Sequence, residues 1–342
     1  MNMRAESNSK LGRRFRISAA MLVLASATIT MAGSTANASL KIHGATNLRV
    51  AYITGGSLTT FLQVENAITM NTLKKAGAHV QMFDPAFDPT TEYNMMQSVV
   101  SGGAFNAIIL LSLSGTVMCP LVKQAIKKGI IVVTGINSVC GLDNKNGPAT
   151  WYPGTLQAVT GQTPSWFDSM FHYVKQQNPG GGQVAIFTGP SILPLTANTN
   201  NAATKVFASS NLSVVSTVAG DYTAPTALTA AEAVFKANPN ISIVVSNYAG
   251  MTPGIVAAAT AAGILNKIKI YDAGGTKQDF PLIASGTLAM SGLLVPRAIG
   301  QQTALALIQY AEGKKVPKWS NVGDLPIWIT SSNYKKYLKY AY

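Results

Sequence analysis

The feature that most constrains this chain is a rhythm. From residue 48 onward, short β-rich apolar runs alternate with amphipathic stretches of helical length. Residues 48–54, 78–83, 107–113 and 130–135 read as strands, and 60–76, 90–101 and 119–128 as helices, two of them stopped by Gly77 and Gly129. The strand runs are continuously apolar rather than alternating. That pattern belongs to a parallel sheet covered by helices on both faces, because each strand must then bury both of its sides.

Between 137 and 161 the rhythm breaks into Asn, Gly and Pro around Trp151, Tyr152 and Pro153, which marks a junction between two domains. It then restarts. Helices are expected at 164–177, 200–209, 226–238, 253–262, 280–285 and 299–312, and strands at 183–188, 212–219, 241–246, 268–272 and 288–295. The fold class that follows is α/β, with two doubly wound, Rossmann-like parallel-sheet lobes.

The first 38 residues read separately. Arg4, Lys10, Arg13, Arg14 and Arg16 precede an uncharged apolar run over 17–32, and Ala36-Asn37-Ala38 supplies small residues two apart. This is the pattern of a secretory signal peptide cut after Ala38; a membrane anchor would need an apolar run of about 20 residues. Removing the leader lowers the net charge from +13 to +9. The remaining basic residues are scattered, with no run longer than pairs such as Lys74-Lys75, so a nucleic-acid stripe is not indicated. The uncharged stretch 104–122 is broken by Asn106, Ser112, Ser114, Gly115 and Pro120, and fits a buried strand entering a helix better than a membrane span.

Chemistry-bearing residues are sparse. Cys119 and Cys140 are the only cysteines; an even count in an exported chain favours a bridge, with two buried thiols as the alternative. His43, His79 and His172 have neither catalytic nor metal-ligand spacing, and core or surface roles suit them. Gly55-Gly56, between a strand and a helix, serves either a tight turn or backbone contact to a ligand. It lacks the dinucleotide spacing. No Walker loop and no nucleophile elbow occurs, so neither a cofactor nor an enzyme is expected. Trp166, on a helix, reads as packing, while Trp151 could fill the core or line a site.

The order of several short segments carries a resemblance. They are Leu48-Arg49-Val50-Ala51-Tyr52-Ile53, Lys75-Ala76-Gly77-Ala78 with Asp84, and Lys128-Gly129-Ile130-Ile131-Val132-Val133 in the first half. In the second half come Ala237-Asn238-Pro239-Asn240-Ile241, Ser246-Asn247, Ala261-Ala262-Gly263 and Tyr271-Asp272-Ala273-Gly274-Gly275-Thr276. Together with the leader, they resemble the type I periplasmic binding proteins, the sugar-type solute receptors of ABC transporters. The resemblance implies a multi-strand hinge, a first lobe over 48–140 and 296–318, and a second over 148–292 and 325–342. It also implies a ligand cleft at the carboxyl ends of the strands.

Those ends nominate Thr59, Thr60, Phe61, Ser112, Ser114, Asn137, Trp151, Asn247, Tyr248 and Asp272, with 191–196 from the second lobe. By resemblance, Phe61 stacks on the ligand while Asn247 and Asp272 hydrogen-bond it. The chain departs from the sugar receptors where they carry an Asp-Arg pair, here Ile136-Asn137-Ser138, and where they carry Asn-Asp, here Asn247-Tyr248. Where they open a helix with Arg, Asn198, Asn200 and Asn201 stand. Less charge and more aromatic surface imply a ligand less polar or smaller than ribose.

The expected function is a monomeric periplasmic receptor that closes on a small solute and hands it to a membrane permease. The alternative is a sensory receptor that presents a signal molecule to a membrane kinase or chemoreceptor.

Overall fold

The computed structural model describes residues 42–342, so the expected signal peptide lies outside the described residues. In chain order the elements are β1 (Arg49–Ile53), α1 (Thr60–Lys75), β2 (His79–Phe83), α2 (Pro89–Gly102), β3 (Ala107–Leu110), α3 (Gly115–Lys127), β4 (Ile131–Ile136) and β5 (Gln157–Gly161). There follow α4 (Pro164–Gln177), β6 (Gly182–Thr188), α5 (Pro194–Phe207), β7 (Leu212–Ala219), α6 (Ala224–Ala237), β8 (Ile241–Ser246), α7 (Thr252–Ala261), β9 (Lys269–Gly274), α8 (Asp279–Ser285) and β10 (Leu288–Leu293). The chain ends with α9 (Pro296–Ala311), β11 (Trp319–Gly323), β12 (Trp328–Ile329) and α10 (Tyr334–Tyr337).

These form two α/β lobes. The first sheet has the order β11-β5-β4-β3-β1-β2 and the second β12-β10-β9-β8-β6-β7. All pairings are parallel except that of β12 with β10. Burial follows composition. The central strands β1 (RVAYI) and β3 (AIIL) are buried almost throughout, whereas the edge strands β2 (HVQMF) and β7 (LSVVSTVA) are largely open. Polar and exposed edges are how open sheets avoid pairing with other chains.

In each sheet the strand order reverses beside the first strand of the lobe, between β1 and β3 and between β6 and β8. The helices leaving those strands diverge to opposite faces, and a crevice opens at the strands' carboxyl ends.

One expected boundary is corrected. The segment 137–161 is not simply a junction: its last five residues are β5, buried at every position and paired in register with β4, Val133 opposite Gln157 and Ile136 opposite Thr160. Residues 157–161, expected in the second lobe, therefore belong to the first sheet, and β11 extends that sheet beyond 318. The strand escapes a sequence reading because it is short and the crossover before it has no α-helix, unlike most parallel connections. That irregular crossover is stapled by a disulfide between Cys119 on α3 and Cys140, whose Cα atoms are 4.6 Å apart. Pro194 opens α5 ahead of the expected start at 200, its fixed φ and missing N–H suiting the first helical turn.

The chain passes between the lobes after β5, after β10 and after β11. α9, arriving from the second lobe, packs back on α1 of the first, where Thr69 Oγ1 donates to the Gly300 carbonyl at 3.2 Å. Among the described residues no helix is long and apolar enough to cross a membrane.

Candidate functional site

The loops at the carboxyl ends of the two sheets meet around a cavity of about 70 Å³. Its first-lobe wall comes from Gly55, Thr59, Phe61 and Leu62 after β1, Phe87 after β2, Leu111, Ser112 and Leu113 after β3, Ile136 and Asn137 at β4, and Gln162 after β5. The second lobe supplies Leu193 and Leu195, Tyr222, Asn247, Tyr248 and Leu294. None of these side chains is charged.

The structure thus brings Thr59, Phe61, Ser112, Asn137, Asn247 and Tyr248 to one cavity, and 191–196 contributes to it. The other nominated positions lie elsewhere. Thr60 is exposed on the first turn of α1. Ser114 precedes α3 without reaching the cavity. Trp151 is held against the first sheet, its Nε1 donating to the Thr155 carbonyl at 3.0 Å and Lys318 Nζ lying 4.2 Å from its ring centroid. Asp272 is buried behind the cavity, where Oδ2 accepts from Thr252 Oγ1 at 2.6 Å. Burial and the neighbouring Asp279 push its carboxyl well above the ordinary range, and its Oδ1 has no hydrogen-bond partner among the described residues.

Phe87, Gln162, Tyr222 and Leu294 were not foreseen. Three of them share a conformation: Phe87, Gln162 and Tyr222 have φ of 63°, 54° and 69°, and Ile136 joins them at 59°. Non-glycine residues avoid this left-handed region, a β-branched one most of all, and each costs on the order of 1 kcal/mol or more. Four of the six such residues in the described chain line this one cavity, so the strain is concentrated where side chains must be turned inward. Two tyrosines also require small neighbours. A Cβ on Gly189 would sit 1.9 Å from the Tyr222 ring, and one on Gly250 would sit 2.5 Å from the Tyr248 ring.

Cavity residues also join the lobes. The first turn of α1 leaves amides without helical partners. Thr59 Oγ1 accepts from Leu62 N at 3.2 Å, and the Phe61 amide donates across the cleft to the Tyr248 hydroxyl at 3.3 Å. A residue of the second lobe therefore completes the cap of a first-lobe helix. Phe87 faces Tyr222 with centroids 6.3 Å apart, Phe61 meets Tyr342 edge-on at 6.0 Å, and Asn198 Nδ2 donates to the Asp143 carbonyl at 3.1 Å.

Part of the polar lining is engaged within the protein. Asn247 Oδ1 accepts from Gly189 N at 3.1 Å and its Nδ2 donates to Thr199 Oγ1 at 3.2 Å, while Asn137 Nδ2 donates to the Ser112 carbonyl at 2.8 Å. Ser112 Oγ is different: fully buried, it has no hydrogen-bond partner among the described residues. Burial holds both Tyr222 and Tyr248 above the usual phenol range, so both remain neutral hydroxyls.

Comparison with known proteins agrees with this architecture. The model of the family described as "Periplasmic binding protein domain" matches residues 50–315. Among solved structures, an ABC transporter solute-binding protein from Agrobacterium vitis with bound D-fucose superimposes with a TM-score of 0.75 at 20% identity, covering 86% of this chain and 100% of that one. One from Bacillus halodurans with bound myo-inositol gives 0.75 at 17% identity, covering 85% and 98%. The periplasmic binding component of an arabinose ABC transporter from a Shewanella species gives 0.74 at 19% identity, covering 85% and 95%. No curated protein matches the chain in sequence. The family match spans both lobes and the cleft between them, and the chain belongs to the periplasmic binding protein domain family.

Proposed function

We propose that this protein is the solute-binding component of an ABC importer, acting in the periplasm after removal of residues 1–38. Two lobes close on one small molecule, and a membrane permease receives it. The observation that carries this reading is that a single cavity is lined from both lobes by residues that also make the contacts between lobes. A molecule touching both walls favours the closed arrangement over the open one by its differential contacts, which is what hinge closure requires. The named solute-binding relatives support the transport role. A binding role without chemistry accords with the lining, which offers no ionised acid, base or nucleophile pair.

The test is native mass spectrometry of the exported protein, followed by thermal melting against a panel of sugars, polyols, amino acids and small neutral ring compounds. One bound molecule per chain and a raised Tm are expected, because a ligand specific to the folded state stabilises it by mass action. No bound species and no shift across the panel would remove the receptor reading.

A further inference from the structure

Resting on that receptor reading, we infer that the solute is an uncharged, largely apolar ring compound carrying few hydroxyl or carbonyl groups, and not a sugar.

The first ground is composition. Leu62, Leu111, Leu113, Leu193, Leu195 and Leu294 face the cavity together with four aromatic rings, and no Asp, Glu, Lys, Arg or His lines it. A sugar carries a hydroxyl on nearly every ring carbon, and each one buried without a partner loses about tenfold or more in affinity.

The second ground is the inventory of free polar atoms. The Asn247 amide, Asn137 Nδ2, Thr59 Oγ1 and the Tyr248 hydroxyl are already used in holding the site together. Ser112 Oγ is fully buried and unpartnered, and the Gln162 amide, Asn137 Oδ1 and the Tyr222 hydroxyl, which also line the cavity, stand ready for a ligand. Such a site satisfies a few polar groups on one side of a ligand, while the leucines and aromatic rings face the rest, where a sugar's other hydroxyls would be stranded.

Size is the third ground. The closed cavity, about 70 Å³, is roughly half the ~150 Å³ of an apolar cavity that takes benzene. A single ring enters with a small separation of the lobes. A sugar, widened by hydroxyls in every direction, needs a larger one. The backbone strain at Phe87, Ile136, Gln162 and Tyr222 bears on the same conclusion, since three of these four side chains present apolar or aromatic surface to the space.

The experiment is calorimetry and thermal melting on the exported protein with phenol, benzyl alcohol, indole and cyclohexanol in one arm and L-arabinose, D-fucose and myo-inositol in the other. At least one compound of the first arm is expected to bind one-to-one and raise Tm, with no response in the second. Ser112→Ala should weaken that binding about tenfold, and Leu195→Glu, at a half-buried position of the wall, should abolish it with Tm of the free protein little changed. One-to-one binding of a sugar or inositol in the second arm would overturn the inference and leave the receptor reading standing. Binding in the first arm that both variants leave unchanged would place the compound outside the cavity and overturn the inference. Silence in both arms, with no bound species by mass spectrometry, would overturn the receptor reading itself.

Discussion

Replacing Tyr248 by Phe tests whether the cap completed across the cleft helps hold the lobes together. The substitution keeps the ring that packs against Tyr222, at 5.3 Å between centroids, and removes only the oxygen that accepts from the Phe61 amide. With the lobes closed, that amide belongs to a residue only 8% exposed and would be left without a partner. With the lobes apart, water reaches it. A buried, unsatisfied donor costs about 1–3 kcal/mol, so closure should weaken by roughly 5- to 150-fold. Distances between labels at Ser98 on α2 and Thr229 on α6, both exposed, would read the change as a population shift toward longer separations. Ligand affinity should fall alongside it, because the ligand must then supply more of the closing free energy. An unchanged distance distribution, with the fold intact, would refute the idea that this bond contributes to closure.

Cys119→Ser should lower stability by about 3 kcal/mol on a chain-entropy estimate for a separation of 21 residues, read as a lower denaturant midpoint with ligand affinity nearly unchanged. Asp272→Asn should change Tm and leave affinity alone, since its contact is Thr252 behind the cavity; a tenfold loss of affinity at unchanged Tm would return Asp272 to the site. Glu92 is buried, both of its oxygens accept from the Leu113 amide at 3.1 Å, and burial pushes its carboxyl up to about 8. The folded state thus holds this proton more tightly than the unfolded chain, so its contribution to stability is complete below about pH 4.5 and is lost as pH rises toward 8. Denaturant midpoints across that range should decline less steeply for Glu92→Gln than for the wild type, and equal slopes would contradict the assignment.

Most of the architecture was legible because its signal is periodic. Continuous apolar strands separated by helices with glycine stops can be read locally, as in β3, α3 and β4. The strand β5 could not be read that way: QAVTG acquires its identity from pairing with β4 and β11, not from its own pattern. The site divides along the same line. Phe61, Ser112, Asn137, Asn247 and Tyr248 sit at the ends of central strands, where topology alone points. Phe87 and Tyr222 follow edge strands and reach the cavity through left-handed backbone at residues that are not glycine, which no sequence pattern announces. Asp272 shows the opposite limit. A strand-end acid looks like a cleft residue, whereas the structure buries it outside the cavity lining with Thr252 on one of its oxygens.

The three passages of the chain between the lobes also govern the order in which the molecule can be built. Neither lobe is a continuous stretch: the first sheet is complete only when Trp319–Gly323 has paired with β5, and α1 is covered only when Pro296–Ala311 has returned from beyond the whole second lobe. Until then the inner face of α1 and the open edge of β5 lack their partners. These contacts join residues far apart in sequence, and such contacts form slowly because long loops must close first. In a chain emerging from its amino end, β1–β5 come out first, and the second lobe's β6–β10 can pair as one segment before α9 and β11 arrive to complete the first lobe. The partly built first lobe then carries exposed apolar surface and an unpaired strand, the features that make folding intermediates stick to one another.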